Sequence, residues 1–245
     1  MLQTERKLLP NLGGRKLYYL ISPKLKELNI KCGRDKLFQI MRKNKMLTNP
    51  KKRYIQTTMS KHWLRKYPNI AKSTLVTKPE QLWVSDITYL KTDEGNCYLT
   101  LITDAFSRKI VGYHLADNML AESSVKALNM AIANRLYRYS LIHHSDRGLQ
   151  FCSKEYVNTA NRHNIQMSMT EMYDPYENAL AERMNRTLKE EFGLYSTIKS
   201  KIELKKLVDE AIELYNTYRP HLALKMNVPD KIHKSLLRYE TGTDF

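Results

Sequence analysis

The excess positive charge of this 245-residue chain is confined to its first third. Residues 1–80 carry 20 Lys and Arg against 4 Asp and Glu, whereas residues 81–245 carry 21 of each sign, so the net charge of +16 belongs to the N-terminal part. A chain patterned this way is expected to fold as a cationic module joined to an electroneutral one. Clustered Lys and Arg bind a polyanion by releasing its counterions. With Tyr18, Tyr19, Phe38, Tyr54 and Trp63 interleaved, the pattern points to nucleic acid rather than to a merely solvated surface. The 42% hydrophobic content supplies a packed core and excludes wholesale disorder. No uncharged apolar run approaches the ~18 residues of a membrane helix, and Met1 to Lys7 has no apolar stretch behind its charges, so it does not read as a secretory signal. Cys32, Cys97 and Cys152 are widely spaced, with no CxxC, and make neither a disulfide framework nor a zinc site. A soluble, cytoplasmic protein is expected.

The basic third reads as short helices. Leu17, Leu20 and Ile21 repeat at helical spacing, and Ser22-Pro23 opens another turn carrying Leu25 and Leu28. After a turn from Asn29 to Gly33, an amphipathic helix is expected over 34–47, with Leu37, Ile40 and Met41 on its buried side. Two helices about a Gly-containing turn, the second bearing Arg34, Lys36, Gln39, Arg42 and Lys43, fit a helix-turn-helix. The module is assigned to 1–47. Residues 48–80, with Pro50, Pro68, Pro79 and the cluster Lys51-Lys52-Arg53, read as a basic linker.

Beyond Glu80 the texture changes. Strands are expected over 82–90, 97–103 and 109–115, linked by short turns as in an antiparallel meander. Helix 121–138, strand 141–145, helix 153–163 with Ser153 as its cap, strand 165–169, and helices 178–192 and 202–218 follow. The expected fold is α/β: a mixed sheet flanked by helices over 81–232, preceded by the small helical module and followed by a tail, 233–245.

Three carboxylates converge in this layout. Asp86 lies inside the first strand, Asp146 directly after the fourth and before Arg147-Gly148, and Glu182 early in a helix. Clustered carboxylates repel unless a cation neutralises them, and hard oxygen ligands suit Mg²⁺ or Mn²⁺. Two such ions serve phosphodiester chemistry by activating a nucleophile and stabilising a leaving oxygen. Leu180, Met184 and Leu188 form a packing stripe, while Glu182 and Lys189, two turns apart, are expected along another face, roughly 10 Å from each other. Lys189 and Arg186 are the expected phosphate contacts there. His143, alternating on a buried strand, and Trp83 read as structural.

Asp146 and Glu182 are separated by 35 residues, and Lys189 follows Glu182 by seven. With Trp83-x-x-Asp86-Ile87-Thr88-Tyr89, His144-Ser145-Asp146-Arg147-Gly148-x-Gln150-Phe151, Asn178-Ala179-x-Ala181-Glu182, Leu188-Lys189-x-Glu191 and Tyr215-Asn216-x-x-Arg219-Pro220-His221-x-Ala223-Leu224, the chain resembles the DDE transposases of bacterial insertion sequences. Within them it is most similar to the second-reading-frame product of the IS-three type, a branch of the retroviral-integrase superfamily. The resemblance is strongest over 81–230 and weaker over 13–47. It implies a ribonuclease-H-like catalytic fold, two divalent ions held by Asp86, Asp146 and Glu182, and cleavage and strand transfer at the ends of an element. It also implies Lys189 as a DNA contact, double-stranded DNA as partner, self-association on DNA, an upstream-frame product, fused or separate, and a bacterial, nucleoid-associated location. Glu177 stands where the family usually has Asp and is a rival third carboxylate; Arg183-Met184 replaces the commoner Ser-aromatic pair. Two other readings stay open: a non-catalytic DNA-binding regulator that competes for the ends, and a metal-dependent nuclease that only cleaves.

Overall fold

A computed structural model describes residues 1–48, 63–171 and 178–237. The chain opens with three helices, α1 (Leu2–Leu8), α2 (Gly14–Glu27) and α3 (Arg34–Lys43). Leu17, Ile21 and Leu25 recur every four residues along α2 and share a core with Leu37 and Met41 of α3, completed by Leu9 and Leu12. Helix α1 was not expected from the sequence. Nor does α2 restart at Ser22-Pro23: it runs through Pro23, whose missing N–H would have left the Tyr19 carbonyl without its helical donor. The Ser22 hydroxyl donates to that carbonyl instead, at 3.2 Å. Ile40 is exposed rather than buried, because the buried seam of α3 is the single i, i+4 pair Leu37 and Met41.

The remaining elements are β1 (Leu82–Thr92), β2 (Gly95–Asp104), β3 (Ile110–Ala116), α4 (Ala121–Ala133), β4 (Leu141–Ser145), α5 (Leu149–Cys152), α6 (Lys154–Arg162), β5 (Ile165–Met169), α7 (Ala179–Glu191), α8 (Lys201–Thr217) and α9 (Pro229–His233). The strands form one mixed sheet in the order β3-β2-β1-β4-β5, with β1–β2 and β2–β3 antiparallel and β1–β4 and β4–β5 parallel. This is the α/β sheet expected from the meander followed by alternating helix and strand.

Side-chain alternation on the strands divides the core in two. On one face Trp83, Ile102 and Val111 pack with Val125, Leu128 and Ala131 of α4 and with Tyr156 and Ala160 of α6. On the other, Cys97, Leu99, Leu101 and Ile110 meet Met184 and Leu188 of α7 and Leu204, Val208, Ile212 and Tyr215 of α8. Helix α4 approaches β3 so closely that a Cβ on Gly112 would stand 2.3 Å from the Ala127 carbonyl oxygen. Only glycine fits there.

Two boundaries differ from expectation. Helix α4 stops at Ala133 rather than Arg138, because the buried Glu80 carboxylate accepts the backbone N–H of Leu136 at 2.8 Å and of Tyr137 at 3.0 Å and draws them out of the helix. The second half of the expected linker is folded onto the sheet: Ile70 and Ala71 donate their N–H to Ser168 Oγ at 3.1 and 3.2 Å, and Met169 N–H to the Pro68 carbonyl. His233, expected to begin the tail, is fully buried, with Nε2 3.3 Å from Glu80 Oε1 and Nδ1 2.9 Å from Ser107 Oγ. Among the described residues no helix is long and apolar enough to cross a membrane.

Candidate active site

The parallel pairing of β1 with β4 sets Ser85 opposite Ser145. Asp86 and Asp146 are the next residues on each chain, so strand register alone delivers two carboxylates to neighbouring positions, with adjacent strands ~4.8 Å apart. Helix α7 packs across β1 and brings Glu182. Its first residues are tied down by Asn178, whose side-chain amide donates to the Ser85 carbonyl at 3.0 Å instead of capping the helix.

Electrostatics record how near the three acids are. Asp86 keeps part of its surface open, yet the crowding of protein atoms and the charge of Asp146 push its pKa up to about 7, with Glu182 adding a smaller push. Hydrogen bonds from Asn185 Nδ2 to Asp86 Oδ2 and from the Ile87 N–H to Oδ1, both 2.8 Å, oppose the rise. Glu182 lies exposed, yet the protein atoms that crowd its carboxylate and the charge of Asp146 raise its pKa, against the pull of Arg186. Asp146 Oδ1 accepts the Gly148 N–H at 3.0 Å. A Cβ on Gly148 would lie 3.0 Å from that same oxygen, so the glycine serves close approach to the carboxylate.

Among the described residues no three His, Cys, Asp or Glu side chains lie close enough together to hold a metal ion as they stand. The acids stand within electrostatic reach of one another rather than in contact. As donors they nevertheless fit a divalent ion: three hard oxygen groups repel one another, and a cation is what relieves the repulsion.

Lys189 sits elsewhere than the two-turn spacing suggested. Glu182 is exposed, but Lys189 is buried, its ammonium 4.7 Å from the centre of the Tyr89 ring and under the influence of Asp86. Burial lowers its pKa and Asp86 holds it up. Arg186 is exposed near Glu182. Arg34, Lys36, Gln39, Arg42 and Lys43 all lie exposed on α3. Lys51, Lys52, Arg53 and the rival acid Glu177 lie outside the described residues.

Beneath the acids lies a buried polar layer. His143 Nε2 is 2.6 Å from Ser85 Oγ and 2.8 Å from the Tyr156 hydroxyl, and burial pushes its pKa down to about 3, so the ring is neutral. His144 Nδ1 meets Ser168 Oγ at 2.8 Å. Because that oxygen already accepts two backbone N–H groups, its proton goes to His144. Trp83 is fully buried in the core. Sequence reasoning missed Asn185, and named Asn178 only within a motif, not as a tie to β1. The available signal was a carboxamide at 185 within the otherwise apolar packing face of Ala181, Met184 and Leu188.

Two models described as integrase core domain match the chain, over residues 76–175 and 163–229. A 31 kDa protein of insertion element IS600 from Shigella sonnei is 34% identical over 206 residues, covering 83% of this chain and 76% of the relative. The transposase for insertion sequence element IS904 of Lactococcus lactis is 32% identical, covering 71% and 72%. The transposase InsF for insertion sequence IS3fB of Escherichia coli is 38% identical over 144 residues; that match takes in 58% of this chain and half of InsF. Among solved structures, the HTLV-2 integrase catalytic core domain in complex with magnesium superposes with a TM-score of 0.51 at 20% identity, over 64% of this chain and 97% of that one. A chain of the simian T-cell lymphotropic virus intasome gives 0.57 at 15%, over 95% and 74%. These likenesses show the ribonuclease-H-like integrase fold. Homology over most of two insertion-element proteins, together with integrase core models matched across the sheet that carries the acids, establishes that this chain belongs to the insertion-sequence transposases with an integrase core domain.

Proposed function

We propose that the chain catalyses DNA cleavage and strand transfer at the ends of an insertion element, with Asp86, Asp146 and Glu182 holding two divalent ions, Mg²⁺ or Mn²⁺. The observation that carries this reading is the Ser85–Ser145 register, which sets two carboxylates side by side beneath a helix bearing a third. Divalent ions bound there supply Lewis acidity to the attacking oxygen and neutralise the charge that grows on the leaving oxygen.

In the cleavage step a water oxygen bonds to phosphorus as the P–O3′ bond breaks, leaving a 3′ hydroxyl on the element. That hydroxyl then attacks a phosphodiester of the target, so the number of phosphodiester bonds is conserved in the joining step and no covalent protein intermediate forms. The chain's own residues orient and confine. Asn185 and the Ile87 N–H hold one Asp86 oxygen each, and the Gly148 N–H holds Asp146. Lys189, against Tyr89 and Asp86, acts as a counter-charge within the site rather than as an exposed phosphate contact. His143 is neutral and buried and stiffens the strand below Asp86.

Arg34, Lys36, Gln39, Arg42 and Lys43 on α3, together with Arg186 and the Lys51-Lys52-Arg53 cluster, are assigned to the terminal repeats and target duplex. Self-association when two ends are brought together, action on the nucleoid in the bacterial cytoplasm, and cooperation with an upstream-frame product belong to the same reading. The test uses a labelled duplex carrying the element's terminal repeat, with Mg²⁺ or Mn²⁺, beside Glu182→Gln. Nicked and joined products lost in the variant support the reading; DNA binding without cleavage, with and without the upstream partner, supports a regulator.

A further inference from the structure

The helix that carries Glu182 is finished by the DNA-binding module. The last four carbonyls of an α-helix have no partner within it. In α7 two are met locally: Phe192 N–H donates to the Leu188 carbonyl and Tyr195 N–H to that of Lys189, at 3.3 and 3.2 Å. The other two are met from the far end of the chain. Asn11, in the turn between α1 and α2, donates its side-chain amide to the Glu190 carbonyl at 2.9 Å and its backbone N–H to the Glu191 carbonyl at 3.1 Å.

Charge and apolar contacts fasten the same junction. The Glu191 carboxylate is gripped by Arg219 through two bonds of 2.8 and 2.7 Å and by Lys16 of α2 at 3.0 Å. Burial would push Glu191 upward, but these cations hold its pKa below the ordinary carboxylate range. Glu5 of α1 accepts the Tyr218 hydroxyl at 2.9 Å. Phe192, Leu214 and Tyr218 pack on the module's core of Leu9, Leu12, Leu17 and Ile21. The basic face of α3 takes no part in these bonds, and its charged residues stay exposed.

We infer that Asn11 is a positioning residue for the transposition chemistry: by closing the C-terminal end of α7 it fixes where Glu182, Asn185 and Lys189 lie over β1. This rests on the function proposed above. The module is therefore both a nucleic-acid grip and a structural part of the catalytic helix, and displacements of ~1 Å at a catalytic group cost up to 10²-fold in rate.

The test compares the full chain with Asn11→Ala and Asn11→Gln, the latter keeping a carboxamide donor. Strand-transfer turnover at saturating terminal-repeat duplex, duplex affinity and backbone amide exchange are measured on all three. The expected result for Asn11→Ala is a turnover loss of roughly tenfold with duplex affinity within about twofold, since no exposed phosphate-binding group is removed. Exchange quickens in α7 while the β1–β2 amides keep their protection, and Asn11→Gln recovers most of the loss. Unchanged turnover in Asn11→Ala overturns the inference. So does a loss of protection spread equally over the sheet, which would mark a purely structural contact. Should the unaltered chain show no cleavage under any condition, the proposed function fails. The inference then stands or falls on the α7-specific exchange and on a matching loss of Mg²⁺ affinity by calorimetry.

Discussion

Asn185 of α7 donates its amide hydrogen to Asp86 Oδ2 of β1 at 2.8 Å, while its own carbonyl oxygen, buried, has no hydrogen-bond partner among the described residues. The bond ties the helix bearing Glu182 to the strand bearing Asp86 and steadies an acid that is otherwise crowded by like charge.

Replacing Asn185 with Ala should therefore cost both stability and activity. Loss of a hydrogen bond to a charged group is worth about 2 kcal/mol, and the released helix should lower strand transfer at least ~tenfold. Asn185→Asp should be worse, because it adds a further negative charge against Asp86. Paired melting curves and strand-transfer rates check this; equal activity in Asn185→Asp and the unaltered chain would remove Asn185 from the site.

Gly148 offers a test of Asp146 without touching the carboxylate. A Cβ there would press on Asp146 Oδ1 at 3.0 Å and on Gln150 Oε1 at 3.2 Å. The backbone of Gly148 has φ −62°, which any residue adopts, so Gly148→Ala carries no conformational strain. The expected outcome is a melting temperature within a few degrees of the parent and a clear fall in cleavage rate, read on the same duplex substrate.

The pH response of the metal-free chain follows from Asp86. Its folded pKa, about 7, lies above the ordinary 3.8, because burial and Asp146 disfavour the charged form. The folded state therefore binds the proton more tightly than the unfolded chain, and stability declines as pH rises from about 4 through about 7. Mg²⁺ should reverse that decline by favouring the ionised acid, so its stabilising effect should be larger at pH 8 than at pH 6. Asp86→Asn should flatten both dependences in calorimetric melts.

A second pH effect of the same sign comes from His233. Burial disfavours its charged form, but Asp104 and Glu80 more than offset this, and its pKa is raised above 6.5. Stability from this cluster is fully present below pH 6.5 and is lost as pH climbs through the raised value. Glu80, pushed up by burial but held low overall by His233 and by the N–H groups of Leu136 and Tyr137, contributes stability above pH 4.5 that disappears as pH falls through its own lowered value. His233→Gln should remove the alkaline part of the slope, leaving strand-transfer rates per folded molecule unchanged.

The carboxylates were legible in the sequence because strand register is nearly rigid. The short strand expected over 141–145, stopping just before Asp146, and the one expected over 165–169 match β4 and β5 residue for residue. Asp86, inside a strand and flanked by apolar residues, could only be central. What the sequence hid was long-range and polar. A carboxamide on a helix reads as solvated, so Asn185 drew no attention, and Asn178 entered only as part of a motif, without its bond to Ser85. The bond from Asn11 to Glu190 joins residues 179 positions apart, which no local periodicity reports. For the same reason the charge boundary near residue 80 suggested two separable modules, whereas Phe192, Leu214 and Tyr218 pack directly on the first.

The measurement that bears most directly on the account is strand transfer by Asp86→Asn, Asp146→Asn and Glu182→Gln with Mg²⁺ or Mn²⁺, alongside binding of the same duplex. All three should lose cleavage and joining by several orders of magnitude while holding the duplex as tightly as the unaltered chain. Retention of strand transfer by any one of them would take that residue out of the catalytic set and contradict the arrangement drawn from the β1–β4 register.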